Sequence, residues 1–356
     1  MSYEYLRTEA NNDRTYKISL TLFRDVEQST VDFDDNIEIG IYLNNAQRDR
    51  HKILNVEILF RRAVRPPGSE ECDYYSDKRI EMGYYERTVT LAPYPNGYHL
   101  MFVRCCRNNQ DNLISGGTGG EPDQGQTYYC FIPNPELENS SPRFSGVPSP
   151  YMCNNDTNTF LNRAVDPDGD SLVYRIVRPY QGGDPGQNAS KPVPPARLAF
   201  PIEEVVYKNG YGPTFPFGTS GIATVNSANG LTTLLARNPG SYVIAIEVEE
   251  FRNGVSLGVV RLDMQILVLD CPPNNKPRGS NTGGTYFEIE AGEQLCFDVF
   301  GNDPDNNPVQ KVTVFGSGDI ITGDNGYDGP LATIATASGQ GSAQTEFCWT
   351  PGCDEA

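Results

Sequence analysis

The stretch "SYVIAIEVEEFRNGVSLGVVRLDMQILVL" (Ser241–Leu269) places Tyr242, Ile244, Ile246 and Val248 at alternate positions, then Val260, Leu262, Met264, Ile266 and Val268. A period of two sets each group on one face of an extended strand. Between the arms stands "RNG", where Asn253 and Gly254 form the pair that a tight hairpin favours, because both central positions take φ > 0. The segment therefore reads as two antiparallel strands sharing a buried face, with Met264 packed into it.

The same period runs upstream. "TYKISLTLF" aligns Tyr16, Ile18, Leu20 and Leu22, and "NIEIGIYL" aligns Ile37, Ile39, Ile41 and Leu43. "VEILF", "RTVTLA", "YHLMFVRC" and "TYYCFIP" follow at similar spacing, and no segment carries a helical period. With 35 glycines and 27 prolines among 356 residues, short strands joined by turns suit the composition and long helices do not. The fold class expected is all-β, a tandem of antiparallel β-sandwich modules.

Two polar, proline-bearing stretches divide the chain, "PNPELENSSP" (133–142) and "DCPPNNKP" (270–277). They predict a first domain over 1–135, a second over 136–271 and a third over 272–356, the last lacking the hairpin that closes the second. The acidic motifs repeat with the modules. "AVDPDGDSLVY" carries Asp166, Asp168 and Asp170, and "GNDPDNNPV" carries Asp303, Asp305 and Asn307.

Alternate carboxylates in a tight loop suit one hard cation. Calcium takes six to eight oxygens in irregular geometry, Pro167 and Gly169 curl the backbone, and unneutralised carboxylates this close repel. Further oxygens are expected from the linkers, at Glu138, Asn139 and Asn275, and from the hairpin, at Glu249 or Glu250. The loops are not EF-hands, since strands flank them. The competing reading is a plain Asp-capped turn.

A net charge of −18 disfavours nucleic acid and anionic lipid as partners. No apolar run is long enough to span a bilayer, and "MSYEYLRTEANNDR" lacks the features of a signal peptide, so an export signal would lie outside this chain. Catalytic chemistry finds little support. His51 and His99 are the only histidines, His99 sits in an alternating strand, and "GGTGG" lacks the lysine of a phosphate loop. A carboxylate-based hydrolase needs two acids on opposite sides of a sugar, which one loop does not offer. The chain is expected not to be an enzyme. A glycan-binding module is the alternative, with Tyr74, Tyr75, Tyr84 and Tyr85 as candidate aromatics, half of them facing inward.

Nine cysteines without tight metal-binding pairs read as disulfides of an exported protein. Cys296 is expected to bridge Cys348 beside Trp349, and Cys153 to bridge Cys271, leaving Cys353 without a partner. Adjacent cysteines rarely bridge each other, so Cys105 and Cys106 are each expected to reach Cys72 or Cys130.

Taken in order, "RTYKISLTLFRD", "RCCRNN", "DPDGDSLVY", "EVEEFRNGVSLGVVRLDMQILVLDC" and "FCWTPGC" resemble large exported proteins of the Bacteroidota, of the gliding-motility-associated, type IX secretion kind. Family members commonly carry a cysteine just after the strand that ends here in "FRD", where this chain has Val26. The resemblance implies a secreted or cell-surface protein of Ig-like modules. The acidic loops also resemble cadherin-like modules, whose matching aspartates, here Asp166, Asp168, Asp170, Asp303 and Asp305, bind calcium. A structural and adhesive role follows, with neighbouring modules of the same chain as partners and a surface glycan or protein as ligand.

Overall fold

The computed structural model describes residues 1–26, 32–64, 80–114, 124–145, 150–182, 193–271, 275–305, 310–317, 319–322 and 329–353. The chain is all-β, a tandem of antiparallel β-sandwich modules. It divides into two compact units, Met1–Asp270 and Cys271–Ala356.

In the first unit β1 (Ser2–Thr8), β2 (Arg14–Asp25), β3 (Asn36–Leu43), β4 (Arg50–Val64), β5 (Ile80–Leu91), β6 (Tyr98–Arg104) and β7 (Gln126–Ile132) make one sheet, ordered β1-β2-β5-β4-β3-β6-β7. One end of β4 pairs with β3 and the other with β5, so the sheet folds over on itself. Tyr16, Ile18 and Leu20 of β2 meet Ile39, Leu100 and Ile132 from the other half in a closed core. Strand β1 lies in a stretch whose sequence reads as polar. It is an edge strand, and only Tyr3 points its ring fully inward.

A second core follows in the same unit. Its strands are β8 (Arg143–Phe144), β9 (Tyr151–Cys153), β10 (Asn158–Leu161), β11 (Ala164–Val165), β12 (Ser171–Val177), β13 (Ile222–Val225), β14 (Leu231–Leu235), β15 (Gly240–Arg252) and β16 (Val255–Leu269). They form sheets β12-β15-β16-β9 and β10-β14-β13 and a small pair β11-β8. The hairpin turns where the sequence places it: Asn253 has φ 53° and Gly254 φ 79°, with Arg252 opposite Val255. Tyr242, Ile244, Ile246, Val248, Val260, Met264, Ile266 and Val268 are all buried in this core. One pairing departs from the antiparallel rule, since β9 runs parallel to the end of β16.

The other face of β15 is covered too. Val243 and Ala245 are fully buried. Asn112 lies beside them with no exposure; its amide nitrogen donates to Val243 O at 2.9 Å and its oxygen accepts the Val243 N–H at 3.1 Å. An amide side chain thus stands in for a strand partner. Arg107 is buried against Asp263 of β16 in a two-nitrogen ion pair and also donates to Gly125 O.

The second unit is smaller. β17 (Arg278–Asn281), β18 (Leu295–Asn302), β20 (Thr333–Ile334) and β22 (Ser342–Trp349) form the sheet β17-β18-β22-β20, and β19 (Lys311–Val314) pairs with β21 (Ala337–Gln340). A short helix, α1 (Asp319–Thr322), interrupts them. Phe287, Phe297 and Phe347 stack in a row, with centroids 4.7 and 5.0 Å apart.

Candidate cation site

The site begins with a local turn. Asp166 Oδ1 accepts the backbone N–H of Asp168 at 2.9 Å and of Asp170 at 3.1 Å, which closes the loop between β11 and β12. Gly169 sits at φ 79° with open space around its Cα, so the backbone angle alone calls for glycine there. The three aspartates bring one carboxylate oxygen each within 4.8 Å of one another.

Strand alternation supplies the next two groups. The even positions of β15 face the core, and at the end of the strand that face continues as Glu250 and Arg252. There it meets the acidic loop, because Leu172 of β12 pairs with Glu250. Arg252 Nε donates to both Asp170 oxygens at 2.9 and 3.0 Å, and Nη2 reaches Asp170 Oδ2 at 2.6 Å. Nη2 also donates to Asn139 Oδ1 at 2.6 Å and Asp168 Oδ2 at 3.3 Å, while Nη1 donates to Leu137 O at 3.2 Å. One guanidinium therefore spans loop and linker. Sequence reading passed over Arg252, although counting two positions on from Glu250 would have found it.

Glu250 is 1 % exposed, and its Oε1 has no hydrogen-bond partner; Asp166 Oδ2 is likewise buried and unpartnered. Burial, then the charge of Asp166 and a hydrogen bond shared with Asp170, push the Glu250 carboxyl up to about 8, outweighing the hydrogen bond from Asn139. Burial raises Asp166 as well. The Arg252 hydrogen bonds outweigh burial at Asp170 and hold its carboxyl below the usual range.

The polar stretch read as a linker is built into the fold. Asn139, Ser140 and Ser141 are buried. Ser141 N–H donates to Tyr3 O at 2.9 Å, and the Ser141 and Ser140 hydroxyl oxygens accept the N–H groups of Tyr3 and Tyr5. Ser140 N–H in turn donates to Asp168 Oδ2 at 2.6 Å. Short hydroxyl side chains satisfy the free edge of β1, and this draws the linker inward.

Two expected oxygen donors lie elsewhere. Glu138, at φ 51° after a 3₁₀ turn, accepts from Thr8 Oγ1 at 2.8 Å and pairs with Arg14 at 3.5 Å. Glu249 is on the opposite face of β15 from Glu250, where it binds Arg175 and Ser256 Oγ. Asn139 stays at the site, its oxygen on Arg252 and its nitrogen donating to the Tyr3 hydroxyl at 2.9 Å.

In the second unit Asp303 is buried and Asp305 half-buried. Asp303 Oδ1 accepts the Asp305 N–H at 2.8 Å, and Asn275 donates to Asp305 twice, from its backbone at 2.6 Å and its side chain at 2.8 Å. Asn307 lies outside the described residues.

Among the cysteines, Cys296 and Cys348 are bridged, opposite each other in β18 and β22, and Cys153 and Cys271 are each in a disulfide. The expected reach of Cys105 and Cys106 is corrected: they bridge each other, and Cys130 is a free, fully buried thiol whose pKa burial pushes up to about 12. The ladder explains it. Cys130 stands opposite Leu100 of β6, five positions short of Cys105; at about 3.4 Å per residue that separation is far beyond disulfide reach. Cys72 lies outside the described residues, and Cys353 is free and exposed.

His99 is buried between Tyr129, Phe131 and Phe200, with Nδ1 at 2.8 Å from the Tyr129 hydroxyl; burial, with Arg48 nearby, lowers it to about 4. His51 rests against the Tyr98 ring. Of the candidate glycan aromatics, Tyr85 is buried with its hydroxyl on Asp34 O. Tyr84 faces outward, stacked on Phe60 at 5.2 Å, and lines a groove of about 220 Å³ with Phe23, Tyr128, Lys17 and Arg143. Tyr74 and Tyr75 lie outside the described residues.

No family model matches the chain, and no curated protein matches it. Among solved structures it is similar to the crystal structure of Dpr2 Ig1-Ig2 in complex with DIP-Theta Ig1-Ig3, at 10 % identity over 56 % of this chain and 81 % of that one, with a TM-score of 0.22. The architecture described above rests on the chain's own strand pairing. Among the described residues no helix is long and apolar enough to cross a membrane.

Proposed function

We propose that the chain is a structural and adhesive segment of a secreted or cell-surface protein, its sandwiches aligned by calcium and disulfides. The observation that carries this is the convergence of loop, linker and hairpin on one acidic site, with Ser140 bonded to Asp168 on one side and to β1 on the other. The donor set suits a hard cation. Its carboxylate and amide oxygens are hard donors, and Asp166 Oδ2 and Glu250 Oε1 are buried without partners. Those two oxygens, with Asp168, Asp170 and Asn139 Oδ1, would hold the ion, which would neutralise their mutual repulsion. The disulfides favour an oxidising compartment. Export by the type IX route, and a surface glycan or protein as ligand, are the finer parts of the same proposal.

Thermal melts of metal-free protein test it. Calcium at about a hundred times its dissociation constant should add about 2.7 kcal/mol to the stability of the first unit, and chelation should remove it. Identical melts in chelator and in millimolar calcium would sink the reading. Glycan binding is a second reading, favoured by the Tyr84 groove. A glycan array that is blank, or one whose hits survive Tyr84→Ala, would count against it.

A further inference from the structure

We infer that Arg252 is a tethered competitor of the metal, a cation carried by the chain that occupies the oxygens calcium would need and so sets the affinity of the site. The inference rests on the calcium reading above and concerns what that reading leaves open.

Three observations combine. The guanidinium engages both oxygens of Asp170, one of Asp168 and the side-chain oxygen of Asn139, each of which is also a hard donor for calcium. Its single charge does not balance the site. The three aspartates already outnumber it, and the unpartnered Glu250 Oε1 and Asp166 Oδ2 are the atoms the arginine leaves unserved. Finally, the side chain is anchored away from the site by Leu137 O, so it has somewhere to remain when its carboxylates are taken.

The physical consequence is an exchange. A divalent ion that takes Asp168 and Asp170 breaks the hydrogen bonds of Arg252 and meets the repulsion of a positive charge a few ångströms away. Each binding event therefore costs the site its internal ion pairs, and affinity is weaker than the donor count alone would set. The same exchange moves the linker contact: Asn139 Oδ1 passes from the guanidinium to the metal, and Leu137 O is left as the anchor of Arg252. Loop and linker are thus joined in both states, by arginine without the ion and by the ion with it.

Calorimetric titration of the metal-free full chain with calcium chloride tests this on wild type, Arg252→Gln and Arg252→Lys. Removing the charge should tighten calcium binding by about tenfold or more, with lysine, which keeps the charge but loses the fork, falling between the two. Arg252→Gln should also melt lower than wild type without metal and regain the difference with calcium. Equal or weaker binding by a variant with a native circular dichroism spectrum would overturn the inference and leave the calcium site standing. If neither wild type nor variant binds calcium, both fall. Should Arg252→Gln fail to fold, the lysine variant decides, and an affinity no tighter than wild type overturns the competition. A purely structural role for Arg252 would lower the metal-free melt and leave the affinity unmoved.

Discussion

Asp166 Oδ1 accepts the N–H of Asp168 at 2.9 Å in the first unit, and Asp303 Oδ1 accepts the N–H of Asp305 at 2.8 Å in the second. In each, a linker N–H donates to the second aspartate at 2.6 Å, from Ser140 and from Asn275. The start of the turn, as far as its second aspartate, is therefore repeated. The charges around it are not. In the first unit the hairpin brings Arg252 and buried Glu250 to the loop; in the second, the Asn275 amide donates to Asp305, and among the described residues no ion pair reaches Asp303 or Asp305. A repeated motif fixes a local conformation, while the strand end that happens to face it decides its electrostatics.

The comparison can be strained most severely by removing what holds the second unit. Its sheet carries the Cys296–Cys348 bridge, 52 residues apart in sequence, and few fully buried side chains. Cys296→Ala with Cys348→Ala should cost about 4 kcal/mol by loss of loop constraint. Trp349, the sole tryptophan, lies in that unit with its indole N–H on Pro330 O, so its fluorescence should report the early unfolding while tyrosine signals from the first unit persist. Simultaneous loss of both signals would show that the units do not unfold separately.

Next in size is Asp170→Ala. It leaves the guanidinium of Arg252 without its two-oxygen partner in a mostly buried setting and should destabilise the first unit by about 2 kcal/mol in urea titrations. A loss below a few tenths would mean that relief of repulsion with Glu250 cancels the pair. The smallest effect is expected from Asp305→Ala. The carboxylate that accepts two hydrogen bonds from the neutral donors of Asn275 is lost at a half-buried loop, worth about 1 kcal/mol, read by Trp349 fluorescence. If Asp305→Ala proved as costly as Asp170→Ala, the proposed difference between the loops would be wrong.

Much was legible in the residues. The period of two in Ser241–Leu269 predicts which side chains are buried, and Asn253-Gly254 predicts the turn, because both depend on neighbours within a few positions. The aspartate loops are legible for the same reason. The burial of Ser140 and Ser141 was not, since it depends on β1 presenting a free edge some 135 residues earlier. The partners of Cys105 and Cys106 were misjudged because reach across a ladder depends on register, which no spacing rule supplies.

By itself, then, the amino-acid order determined the longer alternating strands, the hairpin, the acidic loops and the all-β class, all of them products of local backbone preference and short-range alternation. Only the folded chain decided that Glu250 faces the loop while Glu249 turns away to Arg175, that Glu138 belongs to Thr8 and Arg14, and that Arg252 sits among the aspartates. Electrostatic partnership between distant segments depends on where strands end relative to one another, and that distance is set by packing rather than by any run of neighbours.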